Sequence, residues 1–419
     1  MHSNRTFRWC LTALVGGLTT AVGAQTNVSG AYADGQVFLR WTLSTNPVFT
    51  YNIYSSPTLE TTTADMTLIG RVFPEEATGE RMRNLRPNAT LRIPTDAGYA
   101  VLADTEGAFA WTPHQQDAPQ PGTTRYFAVV RSGQTTVTLD NRVQVTFNYD
   151  PVNEPVKPHF QFAASTSGGY PFAVYMVWVD GREDPDDGRP DFPVMANANR
   201  GGVPHVFAVT TPFGGTPPGP YPTVYSLHGG EGAYQNLMPG EPMRSNMSLE
   251  LTNGIVITPD DNLYWWGGID LQDAVTAWFG YAQHLDPFQI LNHTDPPNND
   301  VIVNYTSRRV LWFTDWLTSG TGPFNVDPHR VALIGHSAGS RGASTLSRQA
   351  PTRFSAAVIQ SSLLNYPDPP VPYPPLGKFS RFNTEKARQN TVDLKTMGVR
   401  LFVDIARIYA LRHGVRATN

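Results

Sequence analysis

Cysteine and charge are scarce in this sequence, and both scarcities exclude classes of function. The 419 residues include one cysteine, Cys10, and charged residues make up 16% of the chain. A single cysteine cannot form a disulfide within the chain or a metal site built from several cysteines. Cys10 lies near the N-terminus and would be removed with an N-terminal signal, which leaves no thiol for catalysis. The net charge of −4 provides no electrostatic footprint for nucleic acid or an anionic membrane.

The N-terminal apolar segment is too short to cross a bilayer comfortably. Arg5 and Arg8 precede the run "WCLTALVGGLTTAV", which falls well under the ~20 apolar residues that a membrane-spanning helix requires. The small residues Gly23 and Ala24 then offer a cleavage site. We expect residues 1–24 to be a signal peptide, and the mature protein to be secreted or periplasmic with no membrane contact after cleavage.

Glycine and proline are plentiful, at 36 each, which favours loops and short strands over long helices. The length suffices for two or more domains. Residues 25–149 predict an all-β sandwich, since "GQVFLRWTL" alternates Val37, Leu39 and Trp41 on one face and a late strand carries Tyr126. The order of these strand segments resembles a fibronectin type III module. We expect it to act as a spacer or a surface-binding module.

A polar, proline-interrupted stretch, "YDPVNEPVKP", predicts a linker at residues 150–160. Residues 161–419 then alternate short apolar strands, such as "AVYMVWVDG" and "HVFAVTTP", with helical patterns. The segment "NYTSRRVLWFTDWLTSG" places Val310, Phe313 and Leu317 on one helical stripe. This alternation predicts an α/β domain with a mostly parallel sheet and helices on both faces.

The stretch "VALIGHSAGSRG" carries the strongest chemical signal. A G-x-S-x-G pattern indicates a catalytic serine only where it forms a sharp strand-to-helix turn, because such a turn exposes the serine hydroxyl above the sheet. Here "RVALI" predicts a buried strand, "AGSRGASTLSRQA" predicts a helix, and Gly335 and Gly339 allow their backbones to approach. Ser337 is therefore the candidate nucleophile. His336 is interpreted as a packing residue, because adjacent residues on a tight turn point in different directions.

A second glycine-rich turn, "YSLHGGEGAY", follows an apolar strand that precedes the serine. Acyl transfer requires backbone N–H donors aimed at the developing oxyanion, and glycines let the backbone turn inward. We expect one donor from the Gly229–Glu231 stretch and another from Ala338, which follows the nucleophile.

These segments together resemble the α/β-hydrolase family, and within it the secreted esterase/depolymerase-like (polyester hydrolase-like) and prolyl-oligopeptidase-like branches. The resemblance covers roughly residues 170–362, including "NGIVITPDD" and "PTRFSAAVIQSS". It implies a serine hydrolase with a Ser…Asp/Glu…His triad and no metal or organic cofactor. Ser337 corresponds to the nucleophile, and Gly229, Gly230 and Ala338 correspond to the oxyanion hole.

Aromatic residues after the fourth strand of this domain are candidate substrate-binding groups. In "PDDNLYWWGG", Tyr264, Trp265 and Trp266 could form a platform for an acyl or aryl group, or could pack beneath a loop. The acidic segment "REDPDDGRPD" lacks the spacing of a calcium loop and is interpreted as a solvated turn.

The acid and base of the triad are hard to place. After Ser337 the sequence contains one histidine, His413, and three aspartates. In one alignment "ARIYALRHGVRATN" is the strand before the acid, Ala417 occupies the acid's position, and the last strand with its histidine is missing. In the other alignment Asp404 is the acid and His413 the base, separated by a cramped interval.

The favoured interpretation is a carboxylic ester hydrolase acting on a small-molecule or polymeric ester. A serine peptidase and a non-catalytic exported binding protein on a hydrolase scaffold remain alternatives. Without its base such an enzyme loses on the order of 10⁶ in turnover, and the oxyanion hole and binding retain roughly 10³–10⁴ over water. We therefore expect trace hydrolysis from this chain.

Overall fold

The structure is a computed structural model. The predicted signal peptide and the chain after residue 360 lie outside the part that it describes. Within the described part, no helix is both long and apolar enough to cross a membrane. The described ranges are residues 27–44, 50–79, 89–179, 202–215, 219–230, 232–241, 251–261, 276, 278–282 and 302–360.

The N-terminal part contains two antiparallel sheets that pack around an apolar core. Val37, Leu39 and Trp41 all lie in this core, as their alternation predicted. The predicted sandwich is present, whereas its fibronectin type III character stays a prediction. The strands are β1 (Ser29–Ala33), β2 (Gln36–Thr42), β3 (Tyr51–Ser56), β4 (Thr67–Val72), β5 (Arg92–Thr95), β6 (Gly98–Val101), β7 (Glu106–Trp111), β8 (Thr123–Arg131) and β9 (Arg142–Phe147), with the short helix α1 (Pro74–Ala77) after β4.

The first sheet of the sandwich has the strand order β1-β2-β7, and the second has the order β4-β3-β8-β9. The hairpin of β5 and β6 belongs to neither sheet and packs beside β1 and β2. This hairpin and α1 both fall between β4 and β7 in the chain.

The C-terminal part is built on a seven-stranded sheet with the order β10-β11-β12-β14-β13-β17-β18. Two further strands of two residues each, β15 and β16, pair with one another. The bounds are β10 (His159–Ser165), β11 (Pro171–Trp178), β12 (Pro204–Thr210), β13 (Tyr221–Leu227), β14 (Ile255–Pro259), β15 (Tyr281–Ala282), β16 (Ile302–Val303), β17 (Val326–His336) and β18 (Ala356–Gln360), with helices α2 (Tyr305–Thr318) and α3 (Ala338–Gln349).

The prediction of a mostly parallel sheet is wrong for the described strands. Three of the six neighbouring pairs are antiparallel, β10-β11, β11-β12 and β12-β14, and three are parallel, β14-β13, β13-β17 and β17-β18. A continuous apolar run reports that both faces of a strand are buried, and it carries no information on strand direction. The parallel half of the sheet holds the candidate nucleophile.

One face of the seven-stranded sheet is covered by α2 and α3. Val310, Phe313 and Leu317 are fully buried on α2, which confirms the predicted stripe. Ala343 and Leu346 of α3 join the same core. Both described helices of this part of the chain longer than one turn therefore pack on the same side of the sheet.

The opposite face is covered at β11 and β12 by the N-terminal sheet. Phe38, on the outer side of β2, packs edge-on against Trp178 with ring centroids 5.4 Å apart. Ala108 and Ala110 of β7 join the same apolar cluster as Met176 of β11. Within the described residues, the prediction of helices on both faces is thus corrected, because a β-sheet buries this apolar face instead.

Candidate active site

Ser337 occupies a sharp turn between β17 and α3. Its backbone has φ 53° and ψ −114°, a conformation that residues other than glycine rarely adopt. Its N–H donates to the carbonyl of Gln360, at the end of β18, over 3.1 Å. The side chain is partly exposed. The predicted strand–turn–helix arrangement is therefore present, with the serine hydroxyl at its apex.

Two glycines permit this turn by allowing backbones to approach closely. A Cβ atom on Gly335 would overlap the carbonyl of Gly339, and a Cβ on Gly339 would overlap the carbonyl of Leu227 in β13. The N-terminus of α3 consequently lies directly against two adjacent strands. Both glycines have the role that the sequence predicted.

Ser340, which sequence reasoning missed, holds the turn from inside. Its hydroxyl lies 2.8 Å from the carbonyl of Gly335 and also contacts the carbonyl of Gln360. Ser340 is fully buried. It therefore joins β17, α3 and β18 around Ser337, in the place where a strained residue needs support.

The glycine-rich loop after β13 reaches the serine. A Cβ atom placed on Gly229 would lie 3.1 Å from Ser337 Cβ and 3.3 Å from the carbonyl oxygen of His336. Ala338 begins α3, so its N–H has no acceptor within the helix. The structure thus brings Gly229, Ser337 and Ala338 together, whereas their roles in an oxyanion hole stay a prediction.

His228, which precedes these glycines, is fully engaged in hydrogen bonds. Its Nδ1 lies 2.8 Å from the carbonyl oxygen of Gly229, and its Nε2 accepts the N–H of Asp261 at 3.1 Å. Nε2 also lies 3.3 Å from Oδ1 of Asp260. In this arrangement His228 holds the loop and has no free nitrogen for proton transfer with Ser337.

Asp260 and Asp261 are buried behind the loop, and sequence reasoning missed both. Burial raises the pKa of Asp261 to about 6, although hydrogen bonds from Thr276 and Trp278 act in the opposite direction. The signal was the pair of aspartates that directly follows a buried strand in "GIVITPDD".

The remaining predicted residues have mixed outcomes. His336 is partly buried, and its Nδ1 has no hydrogen-bond partner among the described residues. Tyr264, Trp265 and Trp266 lie outside the described residues, as do Asp404 and His413. The platform, the acid and the base therefore stay predictions. What the described site presents is a serine side chain at the head of α3 with Gly229 of a separate loop beside it.

Several solved structures similar to the chain are esterases or related hydrolases. An S-formylglutathione hydrolase from Agrobacterium tumefaciens is 16% identical, with a TM-score of 0.27 over 48% of this chain and 60% of its own. A glucuronoyl esterase from Solibacter usitatus is 15% identical, with a TM-score of 0.27 over 49% and 52%. An acetyl xylan esterase from Aspergillus awamori is 13% identical, with a TM-score of 0.24 over 46% and 55%. This chain spans less than two thirds of each protein.

No curated protein matches the chain at a significant level. A family model described as a putative nucleotidyltransferase substrate binding domain matches residues 372–419. The matched segment contains Asp404 and His413, whereas Ser337, Gly229 and Ala338 all precede it.

Proposed function

We propose that the protein is a secreted serine hydrolase that cleaves carboxylic esters through an acyl-enzyme on Ser337. One observation carries the proposal. Ser337 is held at positive φ at the head of α3, with Gly229 of a separate loop beside its side chain. Strain of this kind persists only where the surrounding structure fixes it, and it clusters at reactive sites.

The geometry supports acyl transfer as follows. Ser337 Oγ attacks the carbonyl carbon of the ester, and a general base accepts the hydroxyl proton. The oxyanion of the tetrahedral intermediate accepts hydrogen bonds from the N–H of Ala338 and from an N–H of the Gly229–Gly230 segment. Collapse of this intermediate expels the alcohol, and water then releases the acid from Ser337.

Other parts of the site are proposed from the sequence alone. Asp404 and His413 are the residues that the sequence offers as acid and base, but the interval between them is too cramped for us to assign them those roles; no cofactor enters the reaction. Tyr264, Trp265 and Trp266 would contact the acyl or aryl group of the substrate. These roles can be tested one residue at a time.

Ser337→Ala is expected to abolish covalent labelling of the full chain by an alkyl fluorophosphonate, because the alanine offers no nucleophile. The measurement is the adduct mass on the intact protein after prolonged incubation. Ser347→Ala, on the same helix, is the matched control and should label like the wild type. Equal labelling of Ser337→Ala and wild type would remove Ser337 from the proposal.

His413→Ala is expected to leave the residual hydrolysis of an activated aryl ester within about threefold of wild type. The reason is that His413 lies in residues 372–419, which match the family model of a putative nucleotidyltransferase substrate binding domain and not a hydrolase model. The measurement is the steady-state release of the aryl alcohol by the full chain. A loss on the order of 10³-fold or more, reproduced by Asp404→Ala, would instead establish both as the base and acid of the triad.

A further inference from the structure

A buried polar cluster lies behind the glycine loop, and the proposed reaction has not used it. It joins His228, Asp261, Thr276 and Trp278, none of which is more than 2% exposed. Buried polar groups are costly unless their hydrogen bonds are satisfied, so such a cluster is retained where it fixes a geometry.

The carboxylate of Asp261 is the centre of this cluster. Its Oδ2 accepts the N–H of Thr276 at 3.1 Å and the N–H of Trp278 at 3.0 Å. Its Oδ1 accepts the hydroxyl of Thr276, whose oxygen lies 2.9 Å from the hydroxyl of Thr306 at the start of α2. Asp261, which follows β14, thereby fixes the positions of Thr276 and Trp278.

Two further charged residues, Arg309 and Asp260, border the cluster. Arg309 of α2 is buried and donates to the backbone carbonyl of Asp260 over 2.9 Å. The Asp260 carboxylate lies near Nε2 of His228. The positive charge of Arg309 lowers the pKa of Asp261 and partly offsets the effect of burial.

Trp278 connects Asp261 to the glycine-rich loop that follows β13. Its backbone has φ 63°, which a tryptophan adopts only under constraint. Its indole N–H donates to the carbonyl of His228 over 3.0 Å. A Cβ atom on Gly342 of α3 would overlap Trp278, so the ring also packs directly on the nucleophile helix.

His228 in turn fixes one peptide unit of the loop. The carbonyl of Gly229 can only accept, so the Nδ1 atom beside it carries the proton, and Nε2 then accepts the N–H of Asp261. The N–H of Gly232 donates to the same carbonyl over 3.2 Å. In a trans peptide the N–H points opposite to the C=O, so these bonds direct the N–H of Gly230 away from His228.

We infer that Asp261 is a positioning residue for the oxyanion hole. Through Trp278 and His228 it sets the orientation of the Gly229–Gly230 peptide, and it contacts no reacting atom. This inference rests on the proposed function, because only a reacting Ser337 gives that peptide a task. An oxyanion donor must be oriented before the reaction to stabilise the transition state fully.

The test compares Asp261→Ala, Asp261→Asn and Trp278→Phe in the full chain by their rates of fluorophosphonate labelling at Ser337. Asp261→Ala leaves both N–H donors without an acceptor and should lower the maximal labelling rate about a hundredfold. Trp278→Phe removes only the indole donor and should lower that rate about tenfold. The half-saturating probe concentration should stay unchanged in both variants.

Asp261→Asn should restore most of the rate, because its amide oxygen can accept both N–H groups while the Thr276 hydroxyl turns. Asp315→Ala, which breaks a surface ion pair with Arg353 on the far end of α2, is the control and should match wild type. Circular dichroism and thermal unfolding identify variants that fail to fold. If Asp261→Ala does not fold, Trp278→Phe decides the outcome.

Nitrogen-15 NMR of His228 distinguishes a failure of the proposed reaction at Ser337 from a failure of the positioning role of Asp261. The Nδ1–H signal should be present in wild type, slow to exchange, and altered in Trp278→Phe. Wild-type protein without labelling but with this signal and its change would contradict the proposed function, while the hydrogen-bond chain from Asp261 through Trp278 and His228 to the Gly229–Gly230 peptide would stand. Wild-type labelling rates in folded Asp261→Ala or Trp278→Phe would overturn the positioning role and leave the proposed function standing.

Discussion

Gly339→Ala is expected to lower the free energy of unfolding by about 3 kcal/mol or more, one of the largest single-residue effects in this chain. The added Cβ would overlap the backbone carbonyl of Leu227 and press on that of His228. Neither is the end of a flexible side chain, so relief requires moving α3 away from β13. The measurement is chemical denaturation of the full chain followed by circular dichroism.

Gly230→Ala provides the matched control for this stability measurement. Gly230 lies in the neighbouring loop, and a Cβ there meets nothing within 4 Å. We expect its free energy of unfolding to stay near that of wild type. A Gly339→Ala protein as stable as the Gly230→Ala protein would contradict the close packing of strand and helix.

Cleavage of the chain between residues 150 and 158, within the predicted linker, is expected to leave both fragments in one particle. The sandwich and the seven-stranded sheet share an apolar cluster in which Phe38, Trp178 and Met176 are buried. The linker also packs against the sandwich, since Lys157 pairs with Asp34 at 2.7 Å. Gel filtration of the cleaved protein should show a single peak at the size of the intact chain.

Deletion of residues 1–149 is expected to make the remaining chain aggregate. The shortened chain would expose the faces of β11 and β12 that the sandwich covers, and exposed apolar patches of this kind promote aggregation. The measurement is the fraction of soluble, monomeric protein, compared with a full chain carrying Leu139→Ala at a highly exposed position. A soluble, folded fragment, or separate elution after cleavage, would show that the two parts are independent domains.

The turn at Ser337 could be predicted from sequence because its constraints are local. Gly335 and Gly339 flank the serine at the spacing that a strand-to-helix turn needs, and the structure ends β17 at His336 and begins α3 at Ala338. The stripe on α2 was predictable for the same reason, since helical periodicity is expressed within a few turns.

The packing of the two parts of the chain was harder to predict, although a signal existed. Phe38 interrupts the alternation of β2 with an apolar residue on the outward side, and that side proved to be buried against Trp178. An apolar residue on the outer face of a sandwich strand indicates a second covered face. It does not identify the partner, which here lies far along the chain.

The network behind the glycine loop could not be predicted from spacing. Thr276 and Trp278 follow Asp261 by 15 and 17 residues, and no local periodicity predicts that both bond to its carboxylate. The direction of β11 and β12 was equally hidden, because apolar strands buried on both faces look alike in either orientation.

An acyl-enzyme at Ser337 is tested most directly by identifying the residue that becomes acylated. The full chain would be mixed with a p-nitrophenyl ester, quenched in acid and digested, and the acyl mass would be located by tandem mass spectrometry. We expect the acyl group on Ser337, in the peptide that joins β17 to α3. Release of p-nitrophenol with no acyl group on Ser337, or with the acyl group on another residue, would exclude an acyl-enzyme at Ser337.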